Sequence, residues 1–124
     1  MNIVTAPAHV SVFERHEGEL KSSLAEADEF EPGHWWIARV FIQASHRGQG
    51  LGSKLLRTLI ESCAEQGARF IEVSPGGYDA DPVRQRAFYA QNGFQPDPER
   101  PGLMVLRVAP KPGNPHRVFP QGAY

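Results

Sequence analysis

The stretch HRGQGLGSKLL, residues 46–56, constrains the fold more than any other, because it places three glycines within five positions between an apolar run and a leucine-rich one. Gly48, Gly50 and Gly52 carry no Cβ, so successive amide N–H groups of such a turn can approach a ligand closely and point at it. Leu51, Leu55, Leu56, Leu59, Ile60, Cys63 and Ala64 then recur at helical spacing. The glycines therefore open an amphipathic helix, where unpaired amides and the positive end of the helix dipole favour an anion, and a phosphate group suits that geometry.

The flanking segments turn this into a supersecondary unit. WWIARVFI, Trp35 to Ile42, is a nearly continuous apolar and β-branched run, the pattern expected of a central strand covered on both faces. The helix from Leu51 to Glu65 ends at Gly67, a good residue for the position after a helix, and RFIEV, Arg69 to Val73, follows as a short strand. Strand, turn, helix and strand make a βαβ unit with neighbouring parallel strands. Upstream, Val10 and Val12 alternate with polar neighbours between His9 and Phe13, as in a half-buried strand. Leu20 and Leu24 fit either period, and a strand is preferred there. Downstream, Asp81-Pro82 supplies an N-cap and a first-turn proline for a helix running to about Gln91, Asn92-Gly93 stops it, and LMVLRV, Leu103 to Val108, is a further strand. Residues 1–109 read as a single domain of the α/β class, with mixed α+β character, and 110–124 as a Pro/Gly-rich tail that forms no regular element by itself.

Composition removes several functional classes. In 124 residues, 13 Lys and Arg face 14 Asp and Glu, so the basic excess that holds nucleic acid or an anionic membrane is missing. One cysteine forms no internal disulfide, and no secretory or membrane-spanning pattern opens the chain, so a cytoplasmic location is expected. His9, His16, His46 and His116 share no ligand spacing, and no metal is expected.

Spacing separates the phosphate signatures. A Walker loop needs its lysine directly after the last glycine, whereas Gly52-Ser53-Lys54 puts it one place late. A dinucleotide fingerprint needs a third glycine where Ser53 stands. What remains is Arg47-x-x-Gly50-x-Gly52 after a long apolar strand. The run RVFIQASHRGQGLGSKLL resembles the acetyl-CoA signature of the GNAT superfamily of N-acetyltransferases, and AFYAQNGF, Ala87 to Phe94, resembles that family's later helix with its tyrosine. The two motifs stand about forty residues apart in the family's order, and the resemblance covers roughly residues 35–108.

The resemblance implies a GNAT-like fold, a central mixed and twisted β-sheet flanked by helices. It implies acetyl-CoA as cosubstrate, its pyrophosphate cradled by Arg47, Gly48, Gln49, Gly50, Leu51, Gly52 and Ser53, and its pantetheine arm paired with the backbone of Val40, Phe41 and Ile42. Tyr89 matches the tyrosine that protonates the departing coenzyme thiolate; packing beside Phe88 is the alternative reading of that side chain. For the base that takes the amine's proton, Glu72 is the leading candidate, its neighbours Ile71 and Val73 offering desolvation; His34, Asp79, Asp81 and water are the others, with Asp81 more simply a helix cap. The implied activity is transfer of an acetyl group to a primary amine of a small molecule or protein by direct attack. The alternative is an inactive acyl-CoA-binding or interaction module.

Three departures from the pattern bear on these expectations. Pro82 stands where relatives often carry a coenzyme-contacting asparagine. The loop SPGGYDAD is longer than usual, which puts Tyr78 within reach of a pocket. About 34 residues precede the central strand, too few for the family's opening strand, two helices and two further strands, so the lid over the acceptor site is expected to be missing. Among the remaining residues, Cys63 reads as core, Trp35 and Trp36 as packing on opposite faces of the sheet, and the tail's Val118, Phe119 and Tyr124, with an open sheet edge, as compatible with a homodimer.

Overall fold

The computed structural model describes residues 2–6, 9–76 and 81–109. Tyr78, Asp79, His116 and the tail residues Val118, Phe119 and Tyr124 lie outside them. The elements in order are β1 (Asn2–Ala6), β2 (His9–Glu14), β3 (Ser23–Glu31), β4 (His34–Phe41), a short 3-10 turn (Ala44–His46), α1 (Leu51–Glu65), β5 (Phe70–Val73), α2 (Pro82–Gln91), β6 (Gln95–Pro96) and β7 (Met104–Arg107). The strands form one seven-stranded sheet in the order β1-β2-β3-β4-β5-β7-β6. Every neighbouring pair is antiparallel except β4 with β5, which are parallel, as a βαβ unit requires. The chain is thus a mixed α/β domain.

Helix α1 packs over β2, β3 and β4. Its Leu55, Leu56, Leu59 and Cys63 are fully buried against Val10 and Val12 of β2, Ala25 and Ala27 of β3, and Trp35 and Ile37 of β4. Small alanines on β3 leave room for the leucines and for the Trp35 indole, and each buried leucine contributes about 2 kcal/mol of apolar transfer free energy. α2 is set by its ends: Asp81 caps it through Oδ1, which accepts from the Arg84 amide at 3.1 Å, and Pro82 takes the first turn.

Two expectations about the central strand and its predecessor need correction. β4 is covered on one face only: Trp35 is fully buried, whereas Trp36 keeps 43% of its surface exposed. The alternation continues on β3, where Leu24, Glu26 and Asp28 face away from α1, and the described residues before β4 are strands and loops with no helix to cover that side. The apolar run in β4 therefore reflects one core face plus exposed aromatic surface. Leu20 lies outside any strand, with its side chain in solvent; β3 begins at Ser23 and runs nine residues, much further than Leu20 and Leu24 suggest. The edge strands β1 and β6 carry no strong pattern and were not expected. No helix among the described residues is long and apolar enough to cross a membrane.

Candidate active site

The glycine turn is built from two different kinds of glycine. Gly48 and Gly50 have φ of 77° and 78°, in the left-handed region that a side chain rarely adopts, and a Cβ on either would point into open space. Gly52 is helical, and a Cβ there would come within 3.3 Å of Phe88 Cε1 and 3.6 Å of Ile42 Cγ1. Its role is close packing of α1 against α2 and the end of β4, so only the first two glycines shape the open turn. Gly50 is the N-cap of α1 and gives no side-chain cap; the first intrahelical bond is Lys54 N–H to Gly50 O at 3.1 Å. The amides of Gly48, Gln49, Gly50, Leu51, Gly52 and Ser53 make no hydrogen bond to other described residues. A run of unpartnered donors at a helix start, in open space, with exposed Arg47, Lys54 and Arg57 around it, fits an anionic diphosphate.

Side chains hold this turn in place. Arg47 Nε donates to the Ile42 carbonyl at 2.9 Å, which folds the turn back on the end of β4 and leaves the two Nη groups for an anion. It also occupies the Ile42 carbonyl, so of the three residues Val40, Phe41 and Ile42 the last offers its amide rather than its oxygen. Asn92, at the end of α2, donates through Nδ2 to Phe88 O at 2.9 Å and to Ser53 Oγ at 3.2 Å. Ser53 accepts in that bond, so its own O–H remains a donor at the turn.

The edge of β4 provides the second half of the site. β4 pairs with β5 over only three residues, His34 with Phe70, Trp35 with Ile71 and Trp36 with Glu72. On its other side β4 stays paired with β3 as far as Phe41 opposite Leu24, with a register shift between Glu26 and Ala27. From Ile37 to Phe41 the backbone edge toward β5 therefore pairs with no strand among the described residues. It leads directly to the glycine turn, so an extended polar ligand can pair with the strand while its anionic end reaches the amides.

Tyr89 projects from α2 into the interior at 5% exposure, its ring edge-on to Phe88 and Phe94 with centroids 5.1 and 5.4 Å away. Burial pushes its hydroxyl up to about 12, so it is a neutral donor throughout the working range. The packing role weighed from the sequence is real here, because the ring is part of the core.

Glu72 lies on the sheet face away from α1, in an ion-paired cluster. Its Oε2 accepts from Arg100 Nη2 at 2.7 Å and stands 3.4 Å from His34 Nε2, and the side chain is 11% exposed. Arg100 also binds Asp97 at 2.8 Å; the Glu99 amide, with Arg100, holds the Asp97 carboxyl below the usual range. The structure thus brings Glu72 and His34 together, while Asp81 is occupied as a helix cap. Arg100 escaped sequence reasoning because it sits in a proline-rich turn 28 residues from its partner. Cys63 is buried among the leucines of α1, where desolvation pushes its thiol up to about 12, an inert core residue.

The sheet splits beside a helix with free leading amides. The chain belongs to the acetyltransferase (GNAT) family, whose model matches residues 7–94. Solved structures similar in fold include a candidate acyl-CoA N-acyltransferase of Klebsiella pneumoniae, at 23% identity over 82% of this chain and 74% of that one, TM-score 0.69. A GNAT family acetyltransferase of Elizabethkingia anophelis with acetyl-CoA bound is 14% identical over 82% of this chain and 77% of its own, TM-score 0.66. An aminoglycoside 6′-N-acetyltransferase complexed with coenzyme A is 16% identical over 86% and 77%, TM-score 0.62. No curated protein sequence matches the chain.

Proposed function

We propose that this acyltransferase moves an acetyl group from acetyl-CoA to a primary amine by direct attack. One observation carries the reading: the free edge of β4 runs straight into six unpartnered amides at the start of α1. Acetyl-CoA supplies the acyl group as a thioester. The amides from Gly48 to Ser53, with Arg47, hold its diphosphate, and Val40, Phe41 and Ile42 pair with its pantetheine arm. The neighbouring structures with acetyl-CoA or coenzyme A bound support this choice of cosubstrate.

A backbone N–H of the β4 edge that faces the thioester oxygen lowers the barrier by about 3 kcal/mol, as a single preorganised donor does in other acyl transfers. Tyr89 donates its O–H to the departing sulfur. With the phenol at about 12 and an ordinary thiol near 8.5, full transfer of that proton is uphill. Tyr89 therefore stabilises the departing thiolate as a hydrogen-bond donor and keeps its own proton, and the coenzyme leaves as the thiolate. Glu72, with His34 beside it, accepts the amine's proton; Arg100 holds the carboxylate in place. The uncovered sheet face leaves the acceptor side open, which suits an acceptor larger than a small metabolite as readily as a small amine.

Thermal shift with acetyl-CoA, followed by a free-thiol assay across a panel of polyamines, amino sugars and lysine peptides, tests the proposal. Stabilisation with thiol release supports it. Stabilisation without release supports a binding module instead, and no response to the coenzyme ends the reading.

A further inference from the structure

The sheet face away from α1 carries two cross-strand rows where β4 and β5 part. The row nearer the unpaired edge of β4 is Trp36, Glu72 and Val105, each directly opposite the next. The row behind it is His34, Phe70 and Arg107, again directly opposite one another. Side chains two residues apart on a strand share a face, so the rows lie about 7 Å apart along the strands. Pairing of β4 with β5 ends at Trp36 and Glu72, so the second row stands on the far side of Glu72 from the unpaired edge.

The second row is aromatic and open to solvent. A register shift between Glu29 and Glu31 sets Phe30 at an irregularity of β3, and its ring meets the His34 ring with centroids 4.3 Å apart. His34 in turn lies 5.7 Å from Phe70, and the Arg107 guanidinium stands 5.4 Å from the Phe70 centroid. Phe30 is 48% exposed and Trp36, on the first row, 43%. A single apolar side chain at a surface is ordinary, whereas rings in contact across three strands make a platform. Charge gives the platform a direction. On one side Glu72 and Asp97 share the Arg100 guanidinium, so an ammonium group suits that cluster. On the other side Arg107 disfavours a second cation. Glu31, opposite His34, is exposed to water, where an ion pair adds little.

We propose that the acceptor is a primary amine carried on a short chain from an aromatic ring, with the amine at Glu72 and the ring on Phe30, His34 and Phe70. This assignment rests on the acetyl-transfer reading above. An amine at Glu72 faces the unpaired edge of β4, where the proposed function puts the thioester, and the rest of the molecule is led back over the aromatic row. A ring there covers apolar surface and meets ring neighbours in tilted contact. A polyamine would instead set its second ammonium beside Arg107.

Steady-state kinetics with acetyl-CoA compare phenylpropylamine with propylamine, which differ only by the ring, and with spermidine. In wild type kcat/KM should favour phenylpropylamine over propylamine by about tenfold, through KM. Phe30→Ala and, separately, Phe70→Leu should bring that ratio down to about threefold or less. A merely structural defect lowers both amines alike and leaves the ratio in place; far-UV spectra check the fold of each variant. A wild-type ratio within twofold of unity, a ratio unchanged in both variants, or a preference for spermidine over phenylpropylamine overturns the proposal. NMR titration of phenylpropylamine into the protein, with and without coenzyme A, gives a reading independent of transfer. Saturable shifts at the Trp36 indole and at the Phe30, His34 and Phe70 amides in either state support the site; equal shifts with propylamine refute it. If those shifts appear while no amine releases coenzyme thiol, the acetyl-transfer reading fails and the platform stands only as a binding site. Equal transfer to all three amines leaves that reading standing and removes this one.

Discussion

Replacing Tyr89 by phenylalanine separates the two roles that the side chain carries. The ring is part of the core, edge-on to Phe88 and Phe94, and Tyr89→Phe keeps that packing while removing one oxygen. Burial lifts the hydroxyl from 10.0 to about 12. A shift of that size corresponds to about 3 kcal/mol against the anion. Below pH 10 the group is protonated in folded and unfolded chains alike, so Tyr89→Phe should leave the melting temperature at neutral pH within a few degrees of wild type. As pH rises through 10 the unfolded tyrosine ionises first, and wild type loses stability that the variant keeps. Catalysis should respond differently, because loss of a positioned proton donor costs about 10²- to 10⁴-fold in rate. A thiol-release assay at saturating amine, with coenzyme affinity measured calorimetrically, isolates this step. The expected result is a kcat at least tenfold lower with coenzyme affinity unchanged. A variant within twofold of wild type in kcat refutes the donor role, and a loss of coenzyme affinity shows that the hydroxyl serves binding of the coenzyme rather than departure of its sulfur.

Gly50→Ala meets no steric obstacle but must hold φ of 78°, so it should cost about 1–2 kcal/mol and lower the melting temperature by about 5 °C; an unchanged melting curve would mean the turn is not held in this conformation. Glu72→Gln should reduce kcat by about 10²-fold if Glu72 takes the amine's proton, and Arg100→Ala should lower the melting temperature by stranding a carboxylate only 11% exposed. The double variant should recover part of that loss, and strict additivity would deny the pair its coupling. Cys63 is lifted from 9.0 to about 12, so the stability present below pH 9 should fall as pH rises toward 12, by about 4 kcal/mol in all. Urea midpoints across that range test it, and Cys63→Ala should flatten the early part of the decline.

The elements that announce themselves are those whose ends carry a local cause. α1 is bounded by Gly50 and Gly67, α2 by Asp81 with Pro82 and by Asn92 with Gly93, and both run as their caps dictate. The glycine turn was legible for the same reason, since left-handed backbone at Gly48 and Gly50 is written in the glycines themselves. Only the purpose of Gly52 was hidden, because the Phe88 ring that forbids a Cβ there comes from another helix. β3 was the hardest element to read. Its buried face is Ser23, Ala25 and Ala27 and its outer face Leu24, Glu26 and Asp28, an alternation muted by small residues within and acids without.

The same muted alternation has a functional consequence. A strand whose outer face mixes Glu26 and Asp28 with leucine, Glu26 ion-paired to Arg39 and Asp28 2.6 Å from His9 Nδ1, suits a surface that meets water. A helix laid over it would have to desolvate those polar and charged groups. The uncovered face is therefore consistent with the chain's own residues, and the proposed function assigns acceptor recognition to what stands on that face: the Trp36 indole and the Glu72, His34 and Arg100 cluster beside it. An exposed aromatic next to a carboxylate suits an ammonium group, through the ring face and the charge together. On the proposed mechanism, an ammonium acceptor sheds one proton to solvent, attacks as the free amine and passes the next proton to Glu72, and it needs no pocket deeper than the one these few side chains define.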